Sequence, residues 1–154
     1  MKHEIFRLHP RDFKKCGNIW SMKTHRKRWR KWRKEVRQGT RLTYIYAEDG
    51  EFLGEGSLVL ENGDADYTLP GRRVCLSRLV VKPEAQGRGI GGSIVDFLCE
   101  EAVRMGYREM TLGVNIDNAR AQHLYEKHGF AEFWRGEDEH GKYIKMLKSL
   151  EQKH

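Results

Sequence analysis

Glycines at positions 87, 89, 91 and 92 crowd the stretch Leu76–Gly92, LSRLVVKPEAQGRGIGG, where an apolar run passes through Pro83-Glu84-Ala85 into an amphipathic pattern. Backbone N–H groups gathered at a helix start form a nest for anions, and the ligand that rewards such a nest carries phosphate. A carboxamide and a phenol follow further along, Asn118 at the entrance of a second amphipathic segment and Tyr125 within it. A phenol near pKa 10 can hand a proton to a departing group of similar basicity. Phosphate binding and proton transfer are therefore the chemistry on offer.

Three phosphate-binding patterns compete for the glycines. Gly87-Arg88-Gly89-Ile90-Gly91-Gly92 satisfies the dinucleotide fingerprint G-x-G-x-x-G, but Pro83-Glu84-Ala85-Gln86 separates the strand from its first glycine. Too little chain remains for a doubly wound sheet. A P-loop is excluded because no Gly-Lys-Ser/Thr follows. The third pattern is Gln86-x-x-Gly89-x-Gly91 behind Val80-Val81-x-Pro83.

The elements that must position these residues follow from periodicity. Glu4–Leu8 reads as a strand, and Pro10 opens a helix carrying Phe13, Cys16, Ile19 and Trp20. A second helix is expected from Thr24 to Arg37, ended by Gly39. Leu42–Ala47 and Phe52–Leu60 alternate as strands around Asp49-Gly50, a hairpin signal. Asn62 to Gly71 reads as loop, Val74–Val81 as a strand and Gly91–Met105 as a helix stopped by Gly106. Glu109–Val114 is the next strand. Asp117 or Asn118 caps a helix to His128, with Ala121, Leu124, Tyr125 and His128 on one face and Gly129 as its left-handed stop. Strands near Phe130–Arg135 and Tyr143–Leu147 complete a mixed α/β order.

The block Gln86-x-x-Gly89-x-Gly91 resembles the acetyl-CoA motif of the GCN5-related N-acetyltransferase (GNAT) family. Asn118-x-x-Ala121-x-x-Leu124-Tyr125-x-x-x-Gly129-Phe130 resembles that family's helix-four motif position for position. The resemblance covers about Val74 to Phe133 and is topological outside that span. It implies the GNAT fold, a mostly antiparallel twisted sheet, flanked by helices and splayed at its fourth and fifth strands. It also implies acetyl-CoA as cosubstrate. The backbone of Leu79, Val80 and Val81 would pair with the pantetheine arm and offer an N–H to the acetyl oxygen. The N–H groups of Gly87, Arg88, Gly89, Ile90, Gly91 and Gly92, behind Gln86, would cradle the pyrophosphate. Asn118 would bond the pantetheine, and Tyr125 would protonate the CoA thiolate.

Composition sets the remaining bounds. The 154 residues suit one domain over 1–154. Without an 18-residue apolar run or a signal-like start, a cytoplasmic protein that engages no membrane is expected. Cys16, Cys75 and Cys99 lack metal or disulfide spacing, and the histidines form no zinc motif, so no metal is expected. The net charge of +7 is concentrated: Lys23–Arg37 holds nine Lys/Arg and one Glu, for +8. Trp29, Trp32 and Val36 form one helical stripe in that segment, suited to a core, with a dense basic face opposite. That face suits an anionic partner, the phosphates of the cosubstrate included. Nucleic acid is not the expected partner. A homodimer is open, since family members pair through sheet edges or C-terminal strands.

Acetyl transfer to an amine needs a held thioester, a site for the tetrahedral oxyanion and a route for the amine proton. Only about one alkyl ammonium in a few thousand is free amine at neutral pH. Family members that use a glutamate carry it on the strand before the glycine loop, yet Val74–Val81 holds no carboxylate. Glu55, Glu61, Asp64 and Asp66 are the nearest alternatives, with His123 on the far side of its helix, and no base is assigned. The acceptor is expected to be a small primary amine in a pocket closed by the loop after the third strand. A protein N-terminus or lysine as acceptor, and a non-catalytic acetyl-CoA sensor, are the alternatives.

Overall fold

The computed structural model describes residues 2–20 and 26–151. Seven strands form one sheet in the order β1-β2-β3-β4-β5-β7-β6. They are β1 His3–Arg7, β2 Arg41–Glu48, β3 Glu51–Val59, β4 Arg73–Val81, β5 Glu109–Asn115, β6 Ala131–Asp138 and β7 Gly141–Ser149. Every neighbouring pair is antiparallel except β4 with β5. This is the mixed, mostly antiparallel architecture expected from the sequence.

The helices are α1 Arg26–Gln38, α2 Ile90–Arg104 and α3 Ala119–Lys127. Pro10–Asn18, expected as a helix, is a 3-10 helix that buries Phe13 and Cys16. Thr24, placed at the head of the second expected helix, lies outside the described residues. The last hairpin is longer than its apolar residues suggest. Pairing runs out to Asp138 with Gly141, because ladder hydrogen bonds tolerate polar side chains on an exposed edge.

Two cores lie on opposite faces of the sheet. One is built by α2 against the central strands, with Ile94, Val95 and Leu98 fully buried. Gly56 makes that packing possible, since a Cβ there would sit 2.7 Å from the Ile94 side chain. The other joins the first 3-10 helix and α1 to Ile45, Ala47 and Phe52. Trp32 is buried there and donates from its indole nitrogen to Thr43 Oγ1 at 2.8 Å. Trp29 and Val36 pack beside it, so the tryptophan stripe is core.

Candidate active site

The site opens where β4 and β5 part. Arg73, Val74 and Cys75 pair with Glu109, Met110 and Thr111, and there the ladder stops. Both strands run on, β4 to Val81 and β5 to Asn115. A bulge redirects β4: Ser57 opposes Ser77 and Gly56 opposes Leu79, leaving Arg78 as the extra residue with φ of 64°. An inserted residue bends its strand and increases its twist. Beyond it Leu79 and Val81 line a cleft of about 330 Å³. Val80 points to the opposite face and packs with the second core, so from that residue only the backbone can face a ligand.

A one-turn 3-10 helix, Pro83–Ala85, leads from β4 into the glycines. Gly87 and Gly89 have φ of 83° and 81°, conformations that a side chain would strain. Gly89 is the N-cap of α2 and provides no side-chain cap, so first-turn N–H groups are left for a ligand. Gln86, Gly87, Gly89, Ile90, Gly91 and Gly92 all border the cleft. The Arg88 side chain is drawn away into an ion pair with Glu48. Gln86 is held in place by donating to the Val81 carbonyl at 3.1 Å.

The facing wall is α3. Asn118 is its N-cap and accepts from the Ala121 N–H at 3.1 Å, which occupies only its oxygen. The carboxamide NH₂ remains as a donor. Sequence reasoning missed Arg120, whose guanidinium reaches Gln86 Oε1 at 3.4 Å and brings a cation to the cleft. Its position in the first turn after a predicted cap was the available signal. Ala85, Ala121 and Leu124 complete the apolar lining.

Tyr125 stands at the inner end. It is 7% exposed and meets Phe130 edge to face at 5.8 Å. Burial pushes its phenol up to about 12, with Cys75 adding to the effect. Tyr125 also lines a second cavity of about 260 Å³, with Asn62, Tyr67, Ser77, Arg78 and Gly113. Cys75 borders that cavity, but burial pushes its thiol up to about 11 and keeps it neutral.

The candidate carboxylates are otherwise engaged. Glu55 is fully buried and accepts from Arg78 Nε at 2.9 Å. Burial pushes its carboxyl above the usual range, against the pull of Arg78. Asp66 accepts from Lys145 Nζ at 2.7 Å, and that ammonium also lies 4.2 Å from the Trp134 ring centre. Glu61, Asp64 and His123 are exposed. None of the five lines the second cavity. No α1 residue lines the cleft or that cavity, and the helix's one carboxylate, Glu35, pairs with Arg41 at 3.2 Å. Among the described residues no cluster of His, Cys, Asp or Glu has metal-binding geometry. Nor is any helix among them long and apolar enough to cross a membrane.

A splayed β4, a glycine-capped helix and a facing Asn/Tyr helix border one cleft in a mixed sheet. The chain belongs to the acetyltransferase (GNAT) family, whose model matches residues 2–130. It is 36% identical over 73 residues to thialysine N-epsilon-acetyltransferase from Bos taurus, covering 47% of this chain and 43% of that protein. It is 39% identical over 64 residues to mycothiol acetyltransferase from Jonesia denitrificans, covering 42% of this chain and 20% of that protein. The matched regions thus span less than half the length of these curated relatives. The fold is shared with the ribosomal-protein-S18-alanine N-acetyltransferase from Escherichia coli, at a TM-score of 0.76 and 20% identity, over 99% of this chain and 97% of that one.

Proposed function

We propose that this protein is an acetyl-CoA-dependent N-acetyltransferase that moves the acetyl group directly to a primary amine, both substrates being bound together. The observation that carries the reading is the place of Tyr125, a buried phenol bordering the cleft on one side and the second cavity on the other. A group so placed can touch a thioester sulfur arriving through the cleft while an amine enters from behind.

The residues divide the work. The first-turn N–H groups from Gly87 to Gly92 cradle the pyrophosphate at the α2 N-terminus. The free edge of Leu79–Val81 hydrogen-bonds the pantetheine as an added strand would, and one of its N–H groups is offered to the acetyl oxygen as negative charge develops there. Asn118 donates to the pantetheine with the NH₂ that its cap leaves unused. The amine lone pair forms the new C–N bond, the C–S bond breaks, and the sulfur leaves with the Tyr125 proton. One proton leaves the ammonium for water before attack, a second leaves the nitrogen of the adduct for water, and tyrosinate regains its proton from solvent.

A small acceptor suits a second cavity of about 260 Å³, with Asn62 and Tyr67 from the loop after β3 in its wall. Asp64 in that loop favours a cationic approach, the Arg78 guanidinium in the cavity wall is paired with Glu55, and the basic α1 face lies outside the cavity. The names of the thialysine and mycothiol relatives point the same way. The test is acetyl-CoA-dependent release of free thiol across polyamines, amino acids, aminoglycoside-like polycations and short peptides. Turnover confined to small amines is expected. Acetyl-CoA raising the melting temperature with no turnover on any amine would overturn the catalytic reading in favour of a sensor.

A further inference from the structure

The bulge that opens the cleft is made in an unusual way. A left-handed residue at a bulge is ordinarily glycine, because a Cβ in that conformation crowds the backbone. Here the residue is Arg78, with φ of 64°. Its side chain leaves the cleft and borders the second cavity instead. Nε donates to Glu55 at 2.9 Å, and Cζ lies 4.3 Å from the ring centre of Trp20. Glu55 is fully buried in β3, opposite Val80 and one residue from Gly56, the partner of Leu79. Trp20 in turn meets Trp32 of α1 edge to face at 6.0 Å. A carboxyl with no exposed surface is costly to keep, and it is kept beside the one residue of β4 that has no strand partner.

We infer that Glu55 and Trp20 are positioning residues that clamp Arg78 in its left-handed conformation and so set the Leu79–Val81 edge for the thioester. The inference rests on the proposed function for what the edge binds, and on the fold alone for the clamp. It places control of the cleft on the opposite face of the sheet, in the packing between the first 3-10 helix and α1.

The discriminating pair is Arg78→Gly against Arg78→Ala. Both delete the clamp, but only glycine holds the φ unaided. Glu55 can take a proton when its partner is gone, since burial already raises its pKa. The readouts are coenzyme A affinity by calorimetry, the amide NMR shifts of Leu79 and Val81, and kcat against KM where turnover exists. Arg78→Gly is expected to bind coenzyme A within about threefold of wild type. Arg78→Ala should lose about tenfold and shift both amides, the left-handed cost for a side chain being of that order. Equal affinities and equal amide shifts in the two variants would overturn the clamp, whatever their melting temperatures. If Arg78→Ala does not fold, Trp20→Leu serves instead, with about a threefold weakening expected from the lost cation–π contact and no change overturning it. Wild type that binds coenzyme A but acetylates nothing sinks the transfer reading and leaves the clamp to be judged on affinity. Wild type that binds no coenzyme A leaves it to be judged on the amide shifts.

Discussion

Removing one oxygen, Tyr125→Phe, tests the proposed chemistry most directly. The ring should stay where it is, because its 7% exposure and its edge-to-face contact with Phe130 are properties of carbon. Stability should move by less than about 0.5 kcal/mol. The catalytic loss can be bounded from the acidities. With the phenol at about 12, full transfer to a thiolate near pKa 8.5–9 is uphill by roughly 3 pK units. In the proposed mechanism Tyr125 would therefore act mainly by hydrogen bonding to the sulfur as charge develops, yielding its proton only as the C–S bond breaks. That places the loss at the low end of the general-acid range, about 100-fold in kcat. Acetyl-CoA affinity should stay within about twofold, since the bond strengthens only toward the transition state. Single-turnover thiol release at saturating amine, with calorimetric binding of acetyl-CoA, separates the two quantities. A kcat within about threefold of wild type at unchanged affinity would refute the assignment.

Further substitutions separate roles that coincide in the native chain. Asn118→Asp keeps the oxygen that caps α3 but loses the NH₂, so melting should hold while acetyl-CoA affinity falls about tenfold; Asn118→Ala should also cost about 1 kcal/mol of stability. Gly89→Ala strains a φ of 81° with no atom near the new Cβ, and should weaken coenzyme A binding about tenfold in calorimetry. Gly39→Ala, at φ of 79° and equally open, should cost similar stability and leave that binding unchanged. Lys27→Glu on the exposed α1 face replaces like-charge contacts with Arg30 and Lys31 by attractive ones and should stabilise by about 1 kcal/mol, or roughly 3 °C in a thermal melt. The phenol of Tyr125 is raised on folding, so its contribution to stability is complete below the unfolded pKa near 10 and lost as pH rises through about 12. Accordingly kcat/KM should climb with deprotonation of the amine and show no Tyr125-dependent fall below pH ~10; a falling limb near pH 8 that disappears in Tyr125→Phe would contradict this.

What could be read from the sequence was whatever is local. The glycine block, the Asn118 cap and the Tyr125 stripe are short-range patterns, and the structure gathers them at one cleft. The strand and helix order followed from periodicity in the same way. What escaped depends on partners distant in the chain. Val-Cys-Leu-Ser-Arg-Leu-Val-Val reads as one straight strand, because nothing local marks Arg78 as left-handed; the reason lies in Glu55 and Trp20. Glu55 itself, a candidate base in the sequence, is fully buried and bonded to Arg78. Lys145 is held by Asp66 and enclosed by Trp134 and Tyr67, contacts that nothing local in the sequence marks. Pro10–Asn18 has helical periodicity and winds as a 3-10 helix that seats Phe13 and Cys16 in the second core.

The fate of the candidate bases also explains how transfer can proceed without an assigned one. Asp66 serves Lys145 and fixes the loop that walls the second cavity, while Glu55 serves Arg78 and fixes the bulge that opens the cleft. Both carboxylates shape the site from behind its surface. No carboxylate or imidazole lines the inner cavity, so in the proposed transfer the ammonium gives one proton to water before attack and the adduct nitrogen gives a second as it collapses. An adjoining cavity shares Tyr67 and Gly113 and carries Asp138 and His140. Selection of the free amine then falls to the cavity wall, where Tyr67, Ser77 and Asn62 offer hydrogen bonds that a neutral nitrogen can satisfy. In the proposed transfer the Leu79–Val81 edge and Tyr125 would act on the carbonyl and the sulfur, and so the pH dependence of turnover should belong to the amine rather than to the protein.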